Sequence, residues 1–315
     1  MPTFCRHNRL EATCPVCSRR AKAVGKPAGP APRRPRAAST TPAPARRRAA
    51  GADVRVRRLA GFGADDGFGS ELVPGLRSSD DAARLAAEAA FAAARLEQLE
   101  AEPPEPLAAA ALGEDREAAA ELCALVALLA PLEEAADPFA SVLAARDGAP
   151  LAELPRGPLA VDDPAATFAA FRRWTGGSAV AALRGDASWP AARRFERAFE
   201  RLALPGLHRA ARYELLVLAG RLGVVGARPW TLELAAAAPD DPVLVSAKRV
   251  FGIGDLALVT RRARALCEAG GVPMAALDLG LRNFASPGAR LRRGVTPDEG
   301  LVAAAEARLR DALGL

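Results

Sequence analysis

From Ser79 onward, apolar residues recur at helical spacing along most of the chain, and prolines and glycines mark the breaks. Leu85, Ala89, Ala92, Leu96 and Leu99 share one face of a helix that Ser79 caps and that ends before Pro103-Pro104. A second helix is predicted from about Glu114 to Ala130, with Leu122, Val126 and Leu129 inward and Pro131 as its stop. Cys123, inside that apolar run, reads as core. Asp163-Pro164 caps and starts a third, in which Phe168, Phe171 and Trp174 share a face and Gly176-Gly177 ends the run. Trp189-Pro190 opens a fourth, striped by Phe195, Phe199 and Leu202. Pro229-Trp230 opens a short helix, and Thr296-Pro297-Asp298-Glu299 opens the last one. About ten helices result, an all-α array. The exception is Val54 to Leu59, whose alternation suits a strand in a small hairpin.

Two corners between helices stand out. In Val243 to Arg264 a short helix meets Phe251-Gly252-Ile253-Gly254 and then a helix that opens on Asp255 and carries Arg261, Arg262 and Arg264. Two glycines around one apolar residue suit a turn with positive φ and bare backbone, and the following helix start offers unpaired amides to an anion. The alternative reading is a plain helix-helix corner. The earlier corner, Leu204-Pro205-Gly206-Leu207-His208, has a similar layout and feeds the helix through ARYELLVLAGRLG.

Charge changes the picture segment by segment. Residues 1–58 carry a net +13, residues 59–159 a net −13, and residues 160–315 a net +6. A polyanion meeting the body would therefore meet its C-terminal half. Arginine outnumbers lysine 40 to 3, which reads first as base composition of the coding DNA. The chain has no run of about 18 uncharged apolar residues and no signal-peptide pattern, so the expectation is a cytoplasmic protein without a membrane partner.

The N-terminus carries its own chemistry. Cys5, His7, Cys14 and Cys17 fall within thirteen residues, and Cys14-Pro-Val-Cys17 makes a knuckle suited to tetrahedral Zn²⁺. A structural zinc knuckle over 1–19 is the expectation, with a redox pair or incidental thiols as alternatives. Residues 20–52, rich in Ala, Pro, Gly and Arg, read as a disordered linker whose Arg clusters either hold nucleic acid or solubilise a tether. Residues 53–315 would form the helical domain.

Both corners resemble the hairpin of the helix-hairpin-helix DNA glycosylases, Leu-Pro-Gly-apolar-Gly. The first keeps Leu204-Pro205-Gly206 with His208 at the second glycine; the other keeps Gly252-Ile253-Gly254 with Phe251 at the proline. The resemblance implies a catalytic aspartate on a loop end about twenty residues beyond the second glycine. From Gly254 this leads to Asp278, twenty-four residues on, whose other reading is a helix cap or surface acid. Bifunctional members have a lysine where this chain has Leu256, so the implied activity is glycosidic cleavage without lyase chemistry.

Trp230 and Trp174 are the candidates for a base pocket. Gly206, Gly252, Gly254, His208, Arg261, Arg262, Arg264, Arg292 and Arg293 are candidates for DNA contact, with Arg290 beside them; a structural histidine and solvated helix faces are the alternatives. More widely, WPAARRFERAFERLALPGLHRAARYELLVLAGRLG, SAKRVFGIGD and ALDLGLRNFAS are similar to the α-glutamyl/putrescinyl thymine pyrophosphorylase family, third clade. That resemblance spans about 53–315. It implies action on hypermodified bases in DNA, in a setting of phage defence. The competing expectation is a non-catalytic DNA-binding or adaptor protein.

Overall fold

The computed structural model describes residues 63–111, 115–286, 288 and 290–315. The four proposed zinc ligands, the 20–52 linker and the Val54 to Leu59 segment lie outside the described residues. Among the described residues the chain is all helical: α1 Ser79–Ala101, α2 Leu107–Ala111, α3 Arg116–Leu129, α4 Ala140–Arg146, α5 Pro164–Thr175, α6 Ala179–Arg184, α7 Ala191–Arg201, α8 Arg209–Arg221, α9 Pro242–Phe251, α10 Leu256–Gly270, α11 Met274–Ala285 and α12 Glu299–Leu313, with a 3-10 turn at Leu234–Ala236. None of these helices is long and apolar enough to cross a membrane.

Local chemistry sets most boundaries. Helix α1 starts one residue earlier than a Ser79 cap requires, because Ser78 is the cap and its hydroxyl accepts from the Asp81 amide. Asp115, Asp163, Asp241, Asp255 and Asp298 cap α3, α5, α9, α10 and α12 in the same way. Gly176 closes α5 in the left-handed conformation. The predicted helix at Pro229-Trp230 is absent. That stretch is irregular and only the 3-10 turn follows, because Glu233 sits at φ 51 and interrupts any helical run.

The helices pack in two groups. Helix α3 is the hub of one, touching α2, α4, α5, α6 and α8, with α7 laid against α8. Helix α1 is the hub of the other, packed on α11 and α12, while α9 and α10 close its far side. The predicted inward face of α1 is buried throughout: Leu85, Ala89, Ala92, Leu96 and Leu99 are each at most 2% exposed. Its alanines let α11 approach closely. A side chain at Gly280 would begin 2.9 Å from the Ala89 Cα, so this crossing tolerates only glycine. Helices α1 and α8 touch across the seam between the groups, and the polar residues of interest gather there.

Candidate functional site

The first corner, between α7 and α8, is turned inward. Gly206 has φ +78, and a Cβ there would lie 2.4 Å from the Thr167 hydroxyl of α5. The Leu207 amide donates to the Leu204 carbonyl and the His208 amide to that of Gly206. Leu207 is buried. His208 is the N-cap of α8, its Nδ1 accepting from the Ala211 amide at 3.2 Å, so Nε2 carries the proton. Burial of the inner part of the ring lowers its pKa below the ordinary 6.5, although its outer face is exposed to solvent. This corner therefore spends its polar groups on the fold.

Helix α8 then carries Arg209, Arg212 and Glu214 into the seam, all buried. The Asp278 carboxylate meets Arg209 Nη2 at 2.5 Å on one oxygen and Arg293 Nη2 at 2.9 Å on the other. Arg209 also donates from Nε to Asp241 at 3.1 Å and from Nη1 to the Leu232 carbonyl at 2.8 Å. Glu214 binds Arg95 of α1 at 2.7 Å and closes on Arg293 as well. Arg293, with φ 49, is held in place by Glu133, which accepts from the Arg292 and Arg293 amides. Burial alone would push the Asp278 carboxyl up, but Arg209, Arg293 and Arg282 together hold it down at about 2. Glu214 is likewise raised by burial and brought below its ordinary value by Arg293 and Arg95.

These positions correct two expectations. Asp278 lies within α11 and not at a loop end, it is 0% exposed, and both its oxygens are engaged. A carboxylate so placed serves as counter-ion to two guanidinium groups. Arg293, expected to face DNA phosphate, is buried in the same cluster. Tyr213 runs beneath it with its hydroxyl on the Thr231 carbonyl at 3.1 Å, and burial raises that phenol well above its usual range.

The second corner, between α9 and α10, is turned outward. Gly252 has φ +89 and ψ 157, a conformation open to glycine alone. Ile253 at the tip is 98% exposed. Asp255 caps α10 by accepting from Leu258 at 2.8 Å. The amides of Gly252, Ile253 and Gly254 donate to no acceptor among the described residues. On the flanking helices, Lys248 of α9 and Arg261 of α10 are exposed. Arg262 is partly spent, its Nη1 donating to the Phe251 carbonyl at 2.5 Å and so finishing α9. Arg264 lies 4.2 Å over the Trp230 ring and donates to the Trp230 carbonyl at 3.0 Å.

The remaining candidates separate. Trp230 is 48% exposed beside α10, whereas Trp174 packs on Phe171 within the other helical group, so the two do not line one pocket. Arg292 is exposed; Arg290 is paired with Glu88 and stacked on Phe91. Cys123 is core, as expected, and burial pushes its thiol up to about 12. Among the described residues no group of His, Cys, Asp and Glu is arranged to hold a metal ion.

Sequence reasoning missed Arg95, Arg209, Arg212, Glu214, Asp241 and Arg282. For the residues on α8 and α11 part of the signal was present: the runs LLVLAG and MAALDLGL leave no wholly polar face, so a charged residue beside them is drawn inside and needs a partner. The described residues thus define an all-α protein with an ionic cluster locked in its seam and a bare glycine hairpin on its surface. Comparison with family models, with curated proteins and with solved structures finds no match to this chain.

Proposed function

We propose that this protein binds DNA through the α9–α10 hairpin, without breaking a glycosidic bond at Asp278. The observation that carries the reading is the projecting tip, where three consecutive amides lack an acceptor among the described residues, between two helices that carry exposed Lys248 and Arg261. Backbone amides at the start of a helix are a ready anion site, and a phosphate oxygen is the anion a DNA strand presents repeatedly. Ile253, fully exposed between two glycines, is placed to wedge against a base step while the amides grip the backbone. The carboxylate of Asp255 is turned back onto Leu258, which keeps it occupied as a cap.

Base excision would need a carboxylate with a free oxygen beside a base-sized space. Both Asp278 oxygens are engaged, and the clefts lined by its partners Arg209, Arg282 and Arg293 do not include Asp278 in their lining. The resemblance to proteins of hypermodified DNA makes modified pyrimidines the natural probe. In the test, the full chain is incubated with duplexes carrying plain or bulky modified pyrimidines, and both binding and abasic sites are measured. Salt-dependent binding with intact bases is the expected result; loss of a base that Asp278→Asn abolishes would instead establish the glycosylase reading.

The N-terminal Cys5, His7, Cys14 and Cys17 set belongs to the same proposal as a structural Zn²⁺ knuckle tethered by the Arg-rich linker. Metal analysis should give one zinc per chain, lost in Cys14→Ser; a metal-free chain of unchanged stability would remove the knuckle from the account.

A further inference from the structure

An open cleft of about 400 Å³ lies between the start of α8, the turn before α9 and α11. Its charged and polar lining is His208, Arg209, Arg212, Asp240, Asp241 and Arg282. Arg209 is saturated by Asp241, Asp278 and Leu232, but its two neighbours are not. Arg212, only 9% exposed, forms no ion pair among the described residues. Its one hydrogen bond is a 3.4 Å contact with the Phe199 carbonyl, its charge rests 4.5 Å over the Phe199 ring, and its Nε donates to nothing. Arg282 reaches Asp241 at 3.5 Å, a carboxylate that Arg209 already holds at 3.1 Å, and its Nε is also without an acceptor.

Withdrawing guanidinium groups from water without giving them acceptors is costly. Burial, reinforced by Arg209, depresses the Arg212 pKa; burial likewise depresses that of Arg282, Arg293 and Arg209 opposing the help of Asp278 and Asp241. Three arginines and two aspartates line the cleft. Asp241 and Asp278 are engaged, Asp240 is exposed at the rim, and burial disfavours ionisation of Glu233. Both arginines line the same cleft, and an oxyanion entering it would offer acceptors to their guanidinium groups. The two guanidinium groups come from different helices, α8 and α11, an arrangement that suits a tetrahedral anion with oxygens in several directions better than one planar carboxylate. The cleft is also large enough for an organic group attached to that anion.

We infer that this cleft binds a phosphoryl oxyanion, free or as a phosphate monoester, between Arg212 and Arg282. The site stands apart from the DNA reading of the hairpin. Helix α9 separates the two, and its ten residues span about 15 Å.

The test is calorimetric titration of the full chain, without DNA, with inorganic phosphate at constant ionic strength set by chloride. Saturable one-to-one binding is expected, weakened about tenfold or more in Arg212→Gln. Arg282→Gln also strips Asp241 of a partner, so the second variant is Asp240→Asn at the exposed rim. Removing that negative charge should tighten phosphate binding about two- to fivefold. Glycerol phosphate, a short oligonucleotide with a 5′-phosphate and the same strand without it then distinguish a small ester from a DNA end. An absence of saturable phosphate binding, or binding that Arg212→Gln leaves unchanged, would overturn the inference.

Discussion

The two helix corners of this chain share a layout in sequence and differ in almost everything physical. At the α7–α8 corner the apolar residue after the first glycine, Leu207, is 4% exposed; at the α9–α10 corner the equivalent Ile253 is 98% exposed. The first corner returns its Leu207 and His208 amides to its own carbonyls and lies against Thr167, while the second leaves three amides without an acceptor among the described residues. The helices that follow differ in the same sense. Helix α8 is buried nearly end to end; its Arg209 pairs with Asp241 and Asp278, and its Glu214 with Arg95 and Arg293. Helix α10 is amphipathic and leaves Arg261 in solvent. A glycine motif thus acquires meaning only from what surrounds it: one copy shapes the interior, the other is free to meet a ligand.

The sharpest way to break this contrast is at the cluster that α8 feeds. Asp278→Asn leaves Arg209 and Arg293 without their shared counter-ion in a dry site and should cost about 3 to 5 kcal/mol of stability in chemical denaturation. A cost below 1 kcal/mol would mean that the cluster is hydrated or loosely held. The same cluster sets an acid limit. Asp278 and Glu214 are both depressed in the folded state, so the stability they contribute is complete above their ordinary values of 3.8 and 4.5 and is lost as pH falls through their lowered folded values, about 2 for Asp278. In Asp278→Asn that part of the acid sensitivity should be smaller, as read from thermal midpoints across the acid range.

Next in size is the direct comparison of the corners. Leu207→Ala should destabilise by about 2 to 5 kcal/mol as a buried truncation, whereas Ile253→Ala should stay within about 0.5 kcal/mol of the parent. Equal effects at the two positions would show that the outward corner is packed after all. A smaller effect, on affinity and not on folding, is expected from the N-terminal segment. Removing residues 1–50, with its concentration of arginine, should weaken DNA binding and flatten its dependence on salt. Unchanged affinity and slope would reduce the segment to a tether.

Much of the helical framework was legible in sequence because it rests on local rules. Asp163-Pro164, Asp255 and Asp298 announce helix starts by themselves, and the stripe on α1 is a pattern of period 3.6. The helices that escaped, α2, α4 and α6, are five to seven residues long and too short to show a period. The site was legible only in part. Spacing singled out Asp278, but its partners lie 69 residues before it and 15 after it, and pairing over such separations is decided by how α8 and α11 meet in the seam. The glycines of both corners were visible; whether each faced protein or solvent was not, since that depends on Thr167 packed against Gly206 in one case and on an uncovered Ile253 in the other.

The central claim, that the outward corner is a DNA grip, is tested most directly at its tip. Ile253→Glu places a carboxylate where a phosphate would approach, at a position exposed enough that the fold should not respond. Fluorescence anisotropy with a short labelled duplex should show affinity falling about tenfold or more, with the denaturation midpoint unchanged. Unchanged DNA affinity in a folded Ile253→Glu variant would contradict the claim and leave the α9–α10 hairpin an ordinary corner between two helices.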